Sequence, residues 1–143
     1  MKRALLILAP LAACDGTATP VIQGSVTVLR GPSFERHDYP AMCARHVDVG
    51  DLDGDGRLDM VTAGGCSLDA AITVMLASAD FEPVLYAGGY ASALALGDID
   101  GDGLLDVVAS TSTGVALYRN TGGGELAAPV TFAGGMREGL ALG

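Results

Sequence analysis

The chain has 143 residues, 50% of them hydrophobic, with 21 glycines and a formal net charge of -9 from 17 acidic and eight basic residues. That is enough for one modest folded domain rich in tight turns, and too apolar for a disordered chain. The acidity leaves no electrostatic footprint for nucleic acid, so no nucleic-acid partner is expected.

Lys2 and Arg3 precede the apolar run Ala4 to Ala13, which is too short to span a bilayer as a mature helix and is predicted to be a signal peptide over residues 1–13. Leu11-Ala12-Ala13-Cys14 resembles a bacterial lipobox, whose cysteine is lipidated and becomes the mature first residue. The expected localisation is that of an exported bacterial lipoprotein, anchored to membrane in the periplasm or at the cell surface. Asp15 resembles a signal for inner-membrane retention, and the alternative is an ordinary cleaved signal peptide with an incidental cysteine. Residues 14–20 read as a short tether, and residues 21–143 as the repeat region.

Further along, DLDGDGRLD at Asp51 to Asp59 and DIDGDGLLD at Asp98 to Asp106 repeat one pattern, DxDGDGxxD, 47 residues apart. Each places carboxylates at loop positions 1, 3, 5 and 9, namely Asp51, Asp53, Asp55 and Asp59, then Asp98, Asp100, Asp102 and Asp106. Glycines at positions 4 and 6 let the backbone coil tightly around one ion. Four carboxylates this close repel one another at neutral pH, so the loops are better explained as oxygen cages for a hard cation, Ca2+, than as solvated turns. These loops supply eight of the 17 acidic residues, which makes the acidity local.

An EF-hand needs flanking helices and a bidentate Glu at loop position 12, where Thr62 and Ala109 stand. Upstream, Val47 and Val49 alternate with His46 and Asp48, and Leu94 and Leu96 with Ala93 and Ala95, the two-residue period of a half-buried strand. Downstream come the apolar runs Met60 to Ala63 and Val107 to Ala109, so each loop joins two strands as a hairpin.

The repeat is larger than its loop. Tyr39, Tyr86 and Phe132 recur at intervals of 46 to 47 residues, PVLYAGG at Pro83 to Gly89 returns as PVTFAGG at Pro129 to Gly135, and LALG at Leu94 to Gly97 returns at Leu140 to Gly143. A third metal loop is expected to begin just past Gly143, so the repeats read as incomplete at the C-terminus. Such a period suits one four-stranded propeller blade. The first is expected at Arg45 to Gly50, Leu58 to Ala63, Ile72 to Leu76 and Pro83 to Tyr86, with about four inserted residues around Gly64 to Asp69. The second is expected at Ser92 to Gly97, Leu105 to Ser110, Val115 to Arg119 and Ala128 to Phe132. Strand-like material at Val21 to Tyr39 suits the outer half of a preceding blade. The expected fold is all-β: a partial β-propeller of about two four-stranded blades plus incomplete flanking blades, whose open ends favour self-association.

The loops, the LALGDIDGDGLLDVV run and the YRNTGGGE turn at Tyr118 to Glu125 resemble the FG-GAP and VCBS repeats of integrin-alpha-like β-propellers, over roughly Ser33 to Gly143. The literal Phe-Gly and Gly-Ala-Pro signatures are missing, which favours the bacterial VCBS-like variety over a true integrin subunit. The resemblance implies calcium ligands at Asp51, Asp53, Asp55, the Arg57 carbonyl and Asp59, then Asp98, Asp100, Asp102, the Leu104 carbonyl and Asp106. It also implies adhesion, recognition of a protein or carbohydrate ligand, or accessory duty beside an enzyme.

Export makes a disulfide permissible, and setting Cys14 aside leaves the pair Cys43 and Cys66. A hairpin centred on Asp55 pairs residues whose numbers sum to about 110, and this pair sums to 109. The bond is expected to contribute roughly 3 kcal/mol; the alternative is two inert buried thiols. His37 and His46 lie in no metal or catalytic motif, and His46 reads as an exposed strand residue. There is no GxSxG elbow and no phosphate loop, so the chain is read as a non-enzyme. Gly122 to Gly124 read as a turn, and Tyr39, Tyr86 and Phe132 as packing residues between blades. The expected function is calcium-dependent recognition, adhesion or scaffolding. The rivals are an accessory propeller of a secreted hydrolase or lyase, and a carbohydrate-binding module in which calcium contacts sugar hydroxyls.

Overall fold

The computed structural model describes residues 25–28, 37–40, 43–64 and 71–134. The leader, Cys14, the tether, Cys66 and most of the expected insertion lie outside the described residues.

β1 (Ser25–Val28) and β2 (His37–Pro40) form a two-stranded antiparallel sheet with Ser25 opposite Pro40. β3 (Ala44–Gly50), β4 (Asp59–Gly64), β5 (Ile72–Met75) and β6 (Pro83–Tyr86) form a four-stranded antiparallel meander. β7 (Ala91–Gly97), β8 (Asp106–Thr111), β9 (Gly114–Tyr118) and β10 (Val130–Ala133) form a second in the same order. The chain is therefore all-β, and its two open four-stranded sheets have the form of partial propeller blades. Each acidic loop is the turn of the first hairpin in its sheet.

Strand boundaries follow local chemistry. β4 and β8 begin on the last aspartate of their loops, Asp59 and Asp106, one residue later than expected. The last strand begins at Val130 rather than Ala128, because the Ala127 N–H is already given to the Arg119 carbonyl at 2.8 Å and Pro129 has no N–H to offer a ladder. In the first hairpin Val47 faces Thr62 and Asp48 faces Val61, and a bulge between Ala44 and His46 shifts the register at its open end.

Cross-strand register divides the first sheet into two faces. Asp48, Val61 and Val74 share one, with Ala63 and Ile72 alongside; Val49, Met60 and Met75 share the other. The first face packs against the second sheet, and the main core lies there: Leu52, Val61, Ala63, Ile72 and Val74 meet Leu94, Val107, Ala109, Ala116 and Tyr118. The opposite face carries a smaller cluster of Met60, Met75, Ala77 and Phe81, backed by Val47 and Val49.

The alternation around Val47 marks a strand but not a one-sided one. Asp48 lies on the face toward the second sheet, where its Oδ2 accepts the Leu96 N–H at 3.3 Å. Likewise Ala93 and Ala95 are buried along with Leu94. β3 and β7 run beside each other, so Asp48 is half-buried against the second sheet, as Val47 and Val49 are against the smaller cluster on the opposite face. His46 is exposed, as its strand position suggests.

Aromatics tie the sheets together. The Tyr118 hydroxyl donates to the Ala87 carbonyl at 3.0 Å, and the Tyr86 hydroxyl accepts the Leu126 N–H at 3.1 Å. Burial holds the Tyr118 phenol up at about 12. Tyr86 thus packs between sheets as expected, but Phe132 does not: it is 56% exposed, on the face of the second sheet that points away from the first. The Tyr39 side chain lies outside the described residues.

Candidate metal centre

In the first loop, the carboxylate of Asp51 receives the Gly54 N–H at 2.8 Å on one oxygen and the Gly56 N–H at 2.9 Å on the other. In the second, Asp98 receives Gly101 at 2.7 Å and Gly103 at 3.0 Å in the same way. These bonds wind the backbone around the first aspartate, and they require φ values of 79° and 82° at Gly54 and Gly56, and 81° and 88° at Gly101 and Gly103. A side chain at any of the four would be strained.

The last aspartate closes each coil from beneath. Asp59 is fully buried; its Oδ2 accepts the Leu52 N–H at 2.7 Å and its Oδ1 accepts the Ala77 N–H at 2.8 Å. Asp106, also fully buried, accepts Ile99 at 3.1 Å and Asn120 at 2.9 Å. Burial pushes the Asp59 carboxyl above its usual value and the charge of Asp53 adds to this, while the Ala77 and Leu52 N–H groups oppose it.

Carboxylate oxygens of Asp51, Asp53 and Asp59 lie within 4.8 Å of one another, and so do those of Asp98, Asp100 and Asp106. Asp55 and Asp102 stand outside these groups of three; each turns an oxygen to the N–H two residues on, Arg57 at 2.7 Å and Leu104 at 2.8 Å. Three convergent anionic oxygens with no nitrogen or sulfur donor suit a hard divalent cation such as calcium. Those three carboxylates in each loop therefore fit such an ion in kind and spacing.

Several residues at these loops carry no sequence signal of their own. Ser78, in the short 3-10 helix Ala77–Ala79, donates its hydroxyl to Asp53 Oδ2 at 2.5 Å. Arg119 places a guanidinium nitrogen 3.2 Å from Asp100 Oδ2 at the second loop, whereas Arg57 is 3.9 Å from Asp55 at the first. Asn120 is buried between the loops, and its side-chain amide donates to the Leu52 carbonyl at 2.7 Å and the Leu105 carbonyl at 3.1 Å. Its place in YRNTGGGE marks it as part of a repeat but not as a bridge. The glycines that follow form the expected turn, and a Cβ at Gly124 would fall 2.6 Å from Leu76 Cδ2 of the first sheet.

Cys43, just before β3, is disulfide-bonded. An open cleft of about 270 Å³ is lined by Val74, Leu76, Val84, Tyr86, Gly123, Gly124 and Glu125, none of them a loop aspartate. Among the described residues, no helix is long and apolar enough to cross a membrane.

Two meandering sheets, each opened by an acidic hairpin loop and packed face to face, define a β-propeller-type repeat module. Residues 98–141, which run from the second loop through β8, β9 and β10, match the family model of the FG-GAP-like repeat. The first sheet repeats its strand order, loop and register. No curated protein and no solved structure matches the chain significantly.

Proposed function

We propose that the chain is an exported, non-enzymatic repeat module that binds two calcium ions structurally and serves recognition, adhesion or scaffolding. The observation that carries this reading is the pair of matched clusters, each with three carboxylates within 4.8 Å at the turn of a hairpin. The proposed ligands are Asp51, Asp53, Asp55, the Arg57 carbonyl and Asp59, and Asp98, Asp100, Asp102, the Leu104 carbonyl and Asp106. Bound calcium supplies positive charge that offsets carboxylate repulsion. The protein's part is to hold the oxygens close: Asp51 and Asp98 by the glycine N–H groups, Asp59 and Asp106 by N–H groups from beyond the third strand. Binding is then coupled to folding of the hairpin.

Calorimetric titration of the chelator-stripped chain tests this, with uptake of about two ions expected and magnesium competing poorly. Unchanged uptake after Asp53→Ala with Asp100→Ala sinks it. The rival carbohydrate-binding reading needs an exposed ring beside the loops. Phe81 and Tyr118, which follow or precede the segments tied to Asp59 and Asp106, are both buried, and Tyr90 lies beneath Arg45, 5.4 Å from its ring centre, at the end of β7 remote from the loop. The module remains compatible with accessory duty in a secreted hydrolase or lyase, and a catalytic dyad in adjoining sequence decides for that.

Export and lipid attachment at Cys14 rest on the Lys2-Arg3 start and the LAAC junction. Labelled palmitate is expected in the wild type and absent from Cys14→Ser; a soluble unlabelled protein favours the simple signal peptide. The Cys43 to Cys66 pairing is supported by the bonded state of Cys43, and peptide mapping without reduction identifies its partner. Self-association is supported by Val130 and Phe132, 53% and 56% exposed on the last strand. Light scattering in calcium measures it, and a monomer that stays monomeric at high concentration refutes it.

A further inference from the structure

Asn120 is a buried amide whose polar groups reach both acidic loops. Its N–H donates to Asp106 Oδ1 at 2.9 Å, its Nδ2 to the Leu105 and Leu52 carbonyls at 3.1 and 2.7 Å, and its Oδ1 accepts the Gly122 N–H at 3.0 Å. Leu52 lies inside the first loop, between Asp51 and Asp53, and its own N–H donates to Asp59 Oδ2 at 2.7 Å. Three hydrogen bonds therefore run from one buried carboxylate to the other: Asp59 to Leu52, Leu52 to Asn120, and Asn120 to Asp106. The same place after the third strand of the first sheet is held by Ala77, which gives Asp59 the corresponding backbone N–H but has no side chain to reach further.

We propose that Asn120 couples the two loops, so that a divalent cation in either one raises the affinity of the other. This rests on the calcium reading above. Fixing Asp106 in a ligating position fixes the Asn120 backbone; the Asn120 amide then holds the Leu52 carbonyl, and Leu52 presents its N–H to Asp59. The ordering cost of this shared strut is met by the first ion and spared to the second, and the coupling is reciprocal because it is a free energy between sites. The burial of the Leu52 side chain in the inter-sheet core leaves little slack in the path.

The test is calcium titration of the full chelator-stripped chain. Disabling the second loop with Asp98→Asn plus Asp100→Asn is expected to weaken calcium binding at the first loop about fivefold or more. In an Asn120→Ala background the same change leaves the first loop unaltered. Asn120→Ser, which is uncharged and can still accept the Gly122 N–H but is too short to reach the Leu52 carbonyl, serves as the second uncoupled variant should Asn120→Ala fold poorly. A spectroscopic readout separates coupling from mere stability: with the first loop disabled by Asp51→Asn, calcium shifts the Asp53 amide resonance, whose peptide group contains the Leu52 carbonyl, and Asn120→Ser abolishes the shift. First-loop affinity that ignores the second loop in the wild type overturns the coupling alone. A dependence that survives both Asn120 variants assigns it to sheet packing and also overturns the proposal. Failure of either loop to take up calcium overturns the calcium reading, and the coupling with it.

Discussion

Leu52 and Ile99 hold the same place in the two loops, one residue after the first aspartate, yet Leu52 is fully buried and Ile99 is 44% exposed. The loops have the same pattern, the same glycine conformations and the same pair of bonds to the first aspartate. What differs is the neighbour. The first loop is roofed by the second sheet, which buries Leu52 in the main core and sends Asn120 to its carbonyl. The second loop has Arg119 on its rim, 3.2 Å from Asp100, where the first has the hydroxyl of Ser78 on Asp53. Two copies of one motif thus become two sites of different character through what packs on them.

The largest expected effect bears on what the loops share. Calcium at 1,000 times its dissociation constant is expected to stabilise the fold by about 4 kcal/mol per occupied loop, read as a rise in the urea midpoint that chelator reverses. If Asp53→Ala and Asp100→Ala each remove about half of the gain, the loops contribute alike. If one removes nearly all, the comparison is sharper than the geometry implies.

Next comes the neighbour effect. Leu52→Ala is expected to cost about 3 kcal/mol, as a truncation in a packed core, while Ile99→Ala costs less than about 0.5 kcal/mol. Equal losses in chemical denaturation break the contrast between a roofed and an open loop.

The sheets also differ in alkali, because β9 ends on Tyr118 where β5 ends on Met75. The folded-state pKa of Tyr118, about 12, lies above the ordinary tyrosine value of 10.0. Its contribution is fully present below pH 10 and is lost as pH rises through 12, since the unfolded chain gives up the proton first. Up to roughly 3 kcal/mol is expected to disappear across that window. Tyr118→Phe removes this step from the stability profile; a profile indifferent to the substitution refutes the assignment.

The smallest effect concerns the rims. Arg119 is an exposed partner of Asp100, worth about 1 kcal/mol at most, and it competes with a cation for that carboxylate. With the first loop disabled by Asp51→Asn, Arg119→Ala is expected to tighten calcium binding at the second loop by up to about fivefold, and with the second disabled by Asp98→Asn plus Asp100→Asn it leaves the first unaltered. Tightening of both loops alike points to a general charge effect, and raising the salt concentration distinguishes the two.

Much of this architecture is legible in the amino-acid sequence. The DxDGDG turns announce the hairpins, the 46- to 47-residue period announces two equivalent sheets, and Pro83–Tyr86 forms the expected strand because valine, leucine and tyrosine follow a proline at a strand start. Legibility fails where burial depends on a neighbour. Phe132 resembles Tyr86 in every local respect, yet Tyr86 lies against the second sheet and Phe132 faces outward. The alternation of Val47 with Asp48 implies a wet and a dry side, yet both residues are half-buried, Asp48 against β7 and Val47 against the smaller cluster on the other face.

By itself the sequence determined the loops and the strands that carry them, because those depend on residues a few positions apart: carboxylates at loop positions 1, 3 and 9, glycines free to take positive φ, and apolar runs of strand length. Only the tertiary structure decided which loop is roofed, which carboxylate meets a hydroxyl or a guanidinium, and that one amide joins both sites. Ser78 reaches Asp53 across 25 residues, and Asn120 reaches Leu52 across 68. No repeat period encodes such contacts, since they arise from the packing of one sheet on the other, where equivalent residues meet different neighbours.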